Sequence, residues 1–235
     1  MTEIDILLTQ ARNLAYPASM MPALQMIKGR AFFPGGSGVL DNSMTVSDKP
    51  IMVLGQDFDT ATHYEKSLLD EKECNPTWTN LLNLLKQAGI NQHQCFFTNA
   101  IMGVRATGKN TSKSPAFKAP DFLQACRQFF LDQLRVQQPK LVLVLGKMPA
   151  EFLATMAEDL RPWKKLQTIT DIDNADQQLV RDVTFTNNIK TTLALLTHPS
   201  FRHLNIHKRR YKTDFTGAEA ELETLKEALK TLSAA

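Results

Sequence analysis

Four apolar runs along the chain end in polar residues that could carry out chemistry. They end at Gly55-Gln56-Asp57, at Thr98-Asn99, at Gly146-Lys147 and at Thr197-His198-Pro199-Ser200. A carboxylate can take a proton from water or stabilise a nearby cation, and an asparagine amide presents a donor beside an acceptor. The imidazole of His198 is a further candidate, and Pro199 fixes the backbone direction after it. Together these groups could bind a small polar ligand and break a bond in it.

Each motif also has a purely structural interpretation. Asp57 is suited to capping a turn or a helix, His198 to closing a strand, and buried asparagines such as Asn99 commonly tie loops together. Ligands of open α/β sheets bind in the crevice beyond the carboxyl ends of the strands. All three residues are expected at such ends. We therefore predict that Asp57, Asn99 and His198 surround one pocket.

The elements that would position these residues alternate between strands and helices. Continuous apolar runs are typical of strands buried on both faces of a parallel sheet, and they occur at 51–54, 95–97 and 141–145. Further strand candidates are residues 166–169, 183–185 and 192–196. Apolar residues at helical spacing predict helices at 2–15, 24–27, 76–89, 121–137, 147–156 and 217–232.

This alternation predicts an α/β fold, a three-layer α/β/α sandwich with a mainly parallel central sheet. We expect a single domain over residues 1–235, with residues 1–49 as an N-terminal extension of helix and loop packed on it. Residues 58–75 and 102–120 are interpreted as loops. Phe32 and Phe33, in a segment dense in Gly and Pro, are expected to cover the core.

Composition favours a folded, soluble protein of the cytoplasm. Hydrophobic residues make up 43% of the chain, and no stretch approaches the roughly 20 apolar residues that cross a bilayer. The cysteines at positions 74, 95 and 126 are widely spaced, which predicts reduced thiols and no metal site. The formal charge is only +3. Basic side chains nevertheless crowd into residues 202–212, here called the basic segment, and such a patch can guide a polyanion.

In combination, the motifs resemble those of the uracil-DNA glycosylase superfamily. Gly55-Gln56-Asp57 matches the start of the GQDPYH water-activating motif, and His198-Pro199-Ser200 matches the HPS that opens the minor-groove loop. Residues 97–106 look like the uracil-binding strand end and the VRA-type loop after it, and residues 143–148 are similar to the LLWG segment. The order of the motifs and their rough spacing agree over most of residues 51–211, whereas the first fifty residues show no clear match.

The resemblance implies a monofunctional, base-flipping DNA glycosylase. It would hydrolyse the N-glycosidic bond of uracil or a related deaminated base and leave an abasic site, as a monomer without metal or cofactor. Asp57 would orient water and stabilise the sugar cation, while His198 and backbone N–H groups near Gln56 would stabilise the departing base. Asn99 would read the Watson–Crick edge of the base and reject cytosine.

The resemblance also implies a DNA-binding surface after the His-Pro-Ser motif. In the family this loop enters the minor groove and pushes an apolar side chain into the base stack. Leu204 or Phe201 is the candidate here. The other expected DNA contacts are Ser200, Arg202, Arg209 and Arg210, with the last two on phosphates. For stacking on the flipped base we expect Trp78, with Tyr64 second; Trp78 is equally suited to the core.

Departures from the family pattern leave other functions open. Phe58-Asp59-Thr60 stands where the family has Pro-Tyr-His, so the tyrosine that excludes thymine is missing. The four-cysteine iron–sulfur arrangement of the thermophilic branch is absent as well. One alternative is a nucleic-acid-binding protein that kept the fold and lost the chemistry. Another is a hydrolase of free nucleosides or nucleotides, which would not need the basic segment.

Overall fold

The computed structural model describes residues 2–23, 32–33, 49–69, 76–106, 109 and 113–233. Its strands are β1 (Met20–Met21), β2 (Ile51–Gly55), β3 (Cys95–Asn99), β4 (Val104–Arg105), β5 (Leu141–Leu145), β6 (Leu179–Thr184), β7 (Lys190–Leu196), β8 (Arg210–Tyr211) and β9 (Phe215–Thr216). Its α-helices are α1 (Glu3–Arg12), α2 (Ala61–Leu69), α3 (Pro76–Gln87), α4 (Pro120–Gln137), α5 (Lys147–Leu153), α6 (Arg161–Lys165), α7 (Ile169–Asn174), α8 (Arg202–Asn205) and α9 (Gly217–Ser233).

A five-stranded sheet in the order β3-β2-β5-β7-β6 forms the centre of the protein. The first four strands in that order are parallel, and β6 pairs antiparallel to β7 at one edge. All residues of β2, β3 and β5 are buried. The predicted mainly parallel sheet is therefore confirmed, because these short runs are apolar on both faces.

Helices cover both faces of the sheet. Alternate strand residues point to opposite sides, so Met52 and Leu54 of β2 pack into one core with α1, α4 and α5. Ile51 and Val53 pack into a second core with α3 and α9. The two cores on either side of one sheet make the three-layer α/β/α sandwich that was predicted.

Several local predictions differ from the structure. Residues 166–169 do not form a strand, because Thr168 accepts from the N–H of Asp171 in a capping box that opens α7. The connection after Asp57 contains α2, and the 102–120 segment contains β4 and a short 3-10 helix. The helix predicted at 24–27 lies outside the described residues, as does Cys74. Phe33 is fully buried and Phe32 nearly so, as expected for residues that cover the core.

No helix within the described ranges is long and apolar enough to span a membrane.

Candidate active site

The four polar motifs lie at one edge of the sheet. Gly55 pairs in register with Asn99, and the next strand ends at Leu145, which pairs with Leu196. The N–H of Gly146 donates to the carbonyl of Leu196 over 2.9 Å, which extends this edge to the His-Pro-Ser motif. Four parallel strands thus bring their polar ends to one edge of the sheet, where ligands of open α/β sheets bind.

Gly55 makes room for the side chain of Asn99. A Cβ atom at position 55 would collide with Oδ1 of Asn99 and would lie 3.2 Å from the ring of Phe32. Asn99 is 3% exposed, yet no hydrogen bond within the described residues holds its side chain. Nε2 of the neighbouring Gln56 is also buried without a partner there. Unsatisfied buried amides are costly, so both are available to a polar ligand.

Asp57 is held by a guanidinium that the sequence motifs did not identify. Nε of Arg105 donates to Oδ2 of Asp57 over 2.7 Å, and Nη2 donates to Oδ1 over 3.2 Å. Both side chains are 3% exposed. The N–H of Asp59 donates to Oδ1 as well, over 3.1 Å. The carboxylate is therefore ionised, oriented and largely shielded from bulk water.

Arg105 reaches Asp57 because the loops after β2 and β3 continue to pair beyond the strands. Ile101 N–H donates to the carbonyl of Gln56 over 2.8 Å, and Arg105 N–H donates to that of Asp59 over 2.8 Å. Asp59 adopts φ 66°, a left-handed conformation that aspartate tolerates. Nη1 of Arg105 donates in addition to the carbonyl of Lys109. Hydrogen bonds between the two loops therefore fix Arg105 in place relative to the turn that follows Asp57.

His198 lies against Gly146 and presents a neutral ring. Gly146 has φ 91°, and a Cβ there would lie 3.1 Å from Cβ of His198. The N–H of Ser200 donates to Nδ1 of His198 over 3.3 Å, so the proton of the neutral ring resides on Nε2. Burial lowers the pKa of His198 to about 4; Asp57 opposes this effect and Arg105 adds to it. His198 is therefore a neutral donor close to the Asp57–Arg105 pair.

The depressed pKa of His198 predicts a titration that NMR can follow. We expect the ring to titrate near 4 rather than 6.5, with Nδ1 unprotonated at neutral pH. Between these values the unfolded chain takes up a proton that the folded protein refuses, so the free energy of unfolding should fall as pH falls. The signal is assigned by its loss in His198→Asn. A midpoint close to 6.5 would contradict the buried, neutral ring.

The aromatic next to Asn99 is Phe32, not Trp78. Trp78 is 2% exposed and packs against the rings of Phe32 at 4.5 Å and Phe97 at 5.2 Å. Tyr64 is also buried and donates its hydroxyl to the carbonyl of Ala23. The expectation that Trp78 or Tyr64 stacks on a base is therefore corrected: both are core residues, and Phe32 covers Trp78 on the side of Gly55.

Arg209 is part of a buried network rather than a surface for phosphates. It is 2% exposed, and its five N–H groups all have acceptors: two on Asp173, one each on Glu221, Thr197 and the carbonyl of Leu195. A guanidinium has five donors, so none is left for DNA. The predicted phosphate contact of Arg209 is wrong, because its charge is used inside the protein.

The remaining DNA-binding candidates divide into anchoring and exposed residues. Arg202 pairs with buried Glu221, and the hydroxyl of Ser200 bonds to that of Thr77 on α3, so both anchor the loop. The ring of Phe201 packs against His198 at 5.5 Å. Leu204, in contrast, is 55% exposed. The exposed basic residues of the basic segment are His203, His207, Lys208, Arg210 and Lys212.

Comparison with known proteins agrees with this geometry. The family model of the uracil DNA glycosylase superfamily matches residues 45–223. The chain belongs to the uracil-DNA glycosylase superfamily. Membership supports glycosylase-type hydrolase chemistry in DNA repair and DNA as partner, without specifying the base. No curated protein matches the chain. Among the described residues, no group of His, Cys, Asp and Glu side chains could hold a metal ion.

The match covers every polar strand end of the site. It begins six residues before β2 and extends into α9, so it includes the Asp57 turn, the Asn99 strand end and the His-Pro-Ser motif. Arg105 and the network around Arg209 lie within the matched range too. Arg105 could have been suspected from its position six residues after Asn99, but the sequence has no signal that pairs it with Asp57.

Proposed function

We propose that the protein is a monofunctional DNA glycosylase that hydrolyses the N-glycosidic bond of uracil or a related deaminated base. One observation carries the proposal: an ionised carboxylate, an uncommitted amide and a neutral imidazole donor follow the carboxyl ends of β2, β3 and β7, at the same edge of one sheet. These are the groups that heterolysis of a base–sugar bond needs. The product is an abasic site, and the flipped base would enter from the exposed side of this edge.

Each group has a distinct role in the proposed reaction. Breaking the glycosidic bond leaves positive charge on the sugar and negative charge on the base. The carboxylate of Asp57 stabilises the sugar cation and orients the attacking water, whereas Nε2–H of His198 donates to the base oxygen that gains charge. A neutral imidazole can keep this hydrogen bond without losing its proton. The roles follow from which atoms are charged and which donate.

Recognition of the base is assigned to Asn99. Its side-chain amide offers a donor and an acceptor to the Watson–Crick edge of uracil, and no hydrogen bond within the described residues competes for it. Cytosine would present a donor to a donor, which costs on the order of a few kcal/mol in a buried site. Phe32, beside Gly55 and Asn99, supports a stacking role better than Trp78 does.

One observation favours a second function, DNA binding without cleavage. Asp57 is already neutralised by Arg105, which weakens the field that it can exert on a sugar cation. Binding alone would need the basic segment and not a free carboxylate. In a cleavage assay, this alternative predicts binding of the oligonucleotide without strand breaks, whereas the first proposal predicts breaks.

A single assay distinguishes the two functions. Purified protein is incubated with end-labelled single- and double-stranded oligonucleotides that contain one uracil, hypoxanthine or xanthine, followed by alkali. We expect strand breaks at the modified base. Retention of the oligonucleotide in a gel shift without any break would support the second function and reject the first.

Leu204 is proposed as the side chain that enters the base stack, and its truncation provides a separate prediction. We expect Leu204→Ala to slow excision from duplex DNA roughly tenfold, because about 1.5 kcal/mol of apolar contact is lost. Single-stranded substrate, which needs no unstacking of a duplex, should be affected much less. Ile6→Ala, at an exposed apolar residue of α1, is the matched control. Equal losses on both substrates would contradict a wedge.

A further inference from the structure

The Asp57 carboxylate has few acceptor positions left. Oδ1 accepts from Nη2 of Arg105 and from the N–H of Asp59, at 3.2 and 3.1 Å. Oδ2 accepts from Nε of Arg105 at 2.7 Å. An ionised carboxylate offers about four lone-pair directions, two on each oxygen. In the described part of the chain, the free direction is therefore on Oδ2.

We propose that Arg105 is a positioning residue that restricts the attacking water to Oδ2 of Asp57. The inference rests on the proposed glycosylase function. Without Arg105, a water could bind at either oxygen, and the carboxylate could rotate about its own bond. With Arg105, both rotation and the choice of oxygen are removed by two parallel hydrogen bonds, a geometry that only a guanidinium provides. Arg105 does not touch the substrate in this role; it acts through Asp57.

Arg105 is itself firmly placed, as a positioning residue must be. Its backbone pairs with Met20 of β1, its N–H donates to the carbonyl of Asp59, and Nη1 donates to the carbonyl of Lys109 over 2.6 Å. Its side chain is 3% exposed. The same guanidinium lies near enough to His198 to affect that ring electrostatically. A single cation thus orients the carboxylate and balances its charge beside the imidazole.

The inference is tested by changing the guanidinium while keeping the charge. Arg105→Lys retains a cation but has no planar fork, so we expect the single-turnover rate of excision to fall roughly 100-fold, as for a misplaced reacting group. KM should change less than about threefold, because DNA contacts are untouched. The matched control is Arg181→Lys, which makes the same change in a surface pair with Glu227. This control should keep the wild-type rate.

A rescue experiment separates positioning from a structural contribution. Arg105→Ala should recover activity when guanidinium chloride is added below the concentration that unfolds the variant, whereas sodium chloride at the same concentration should not restore it. Circular dichroism establishes that each variant is folded. If Arg105→Ala fails to fold, the rate and KM of Arg105→Lys decide.

The outcomes distinguish this inference from the proposed function. If wild-type protein excises a base and Arg105→Lys does so at the same rate, or loses only affinity for DNA, Arg105 has no positioning role while the glycosylase function stands. If wild-type protein leaves every oligonucleotide intact, the proposed function fails and the inference falls with it. If the wild-type protein excises a base, Arg105→Lys does so slowly and guanidinium restores the activity of Arg105→Ala, both the glycosylase function and the positioning role of Arg105 are supported.

Discussion

Asp57→Asn is expected to lower the single-turnover rate of base excision by at least about 10³-fold. Asparagine keeps the shape of the side chain but carries no charge, so it cannot stabilise the sugar cation or accept a proton from water. The change also replaces one of the two oxygens that face Arg105 with an amide group. Gel analysis of alkali-cleaved, end-labelled oligonucleotides measures the rate, and binding to the same DNA should persist.

The control for this prediction must remove a carboxylate elsewhere. Asp132→Asn removes a carboxylate from the last turns of α4, the helix that precedes β5. This position lies near the start of β5, and the polar residues of the site follow the other ends of the strands. It should excise at the wild-type rate. Since Asp57→Asn leaves a buried cation poorly paired, its folding is checked by thermal unfolding, and destabilisation of about 3 kcal/mol is expected. A folded Asp57→Asn that retains a tenth of the rate would exclude the assigned role.

The strand ends could be predicted from the sequence because each strand is defined by a short apolar run within one segment of the chain. A run such as Leu141–Leu145 is too short for a buried helix and apolar on both faces, which favours a parallel strand. Once strands are parallel, their carboxyl ends must share an edge, and polar residues at those ends must meet. The placement of Asp57, Asn99 and His198 at one edge of the sheet therefore follows from four short segments, although the residues are far apart in sequence.

The partners of these residues were not predictable, because they depend on how two loops pair with each other. Arg105 is brought to Asp57 by hydrogen bonds between the segments after β2 and β3, and neither loop has a periodic pattern. The aromatic type of Trp78 and its position just after Asn75-Pro76 are compatible with stacking on a base or with the core, and the structure buries it on the inner face of α3. In both cases the side chain's neighbour, not its type, decides its role.

The basic segment shows that the role of a charged residue likewise depends on its neighbours in the fold and not on its type. Adjacent arginines at 209 and 210 are indistinguishable in sequence, yet Arg209 is 2% exposed and Arg210 is exposed. The difference arises because the side chain of Arg209, the residue before β8, lies against Asp173 and Glu221, which belong to α7 and α9. Burial raises the pKa of Asp173, and Arg209 counteracts that rise. A run of like charges therefore contains both a core residue and a candidate DNA contact.

Arg209→Ala is expected to lower the free energy of unfolding by about 3–5 kcal/mol, because it leaves the buried carboxylate of Asp173 without its cation and that of Glu221 with Arg202 alone. For a chain of this size the melting temperature should fall by roughly 10 °C. The damage should extend to the site, since Arg209 and Glu221 also bond to Thr197, the residue before His198. Thermal unfolding followed by circular dichroism measures the first effect.

Arg210→Ala is the matched control for this change, at the neighbouring position and with the same loss of a guanidinium. Its side chain bonds to backbone carbonyls of His207 and Arg209 and is otherwise exposed, so stability should change by less than about 0.5 kcal/mol. Its effect should instead be on DNA: one lost phosphate contact lowers the slope of log affinity against log salt by about one. The assignment of Arg209 to the core and of Arg210 to the DNA-facing surface requires that only Arg209→Ala lowers the free energy of unfolding strongly. Equal losses of stability in the two variants would show that this assignment is wrong.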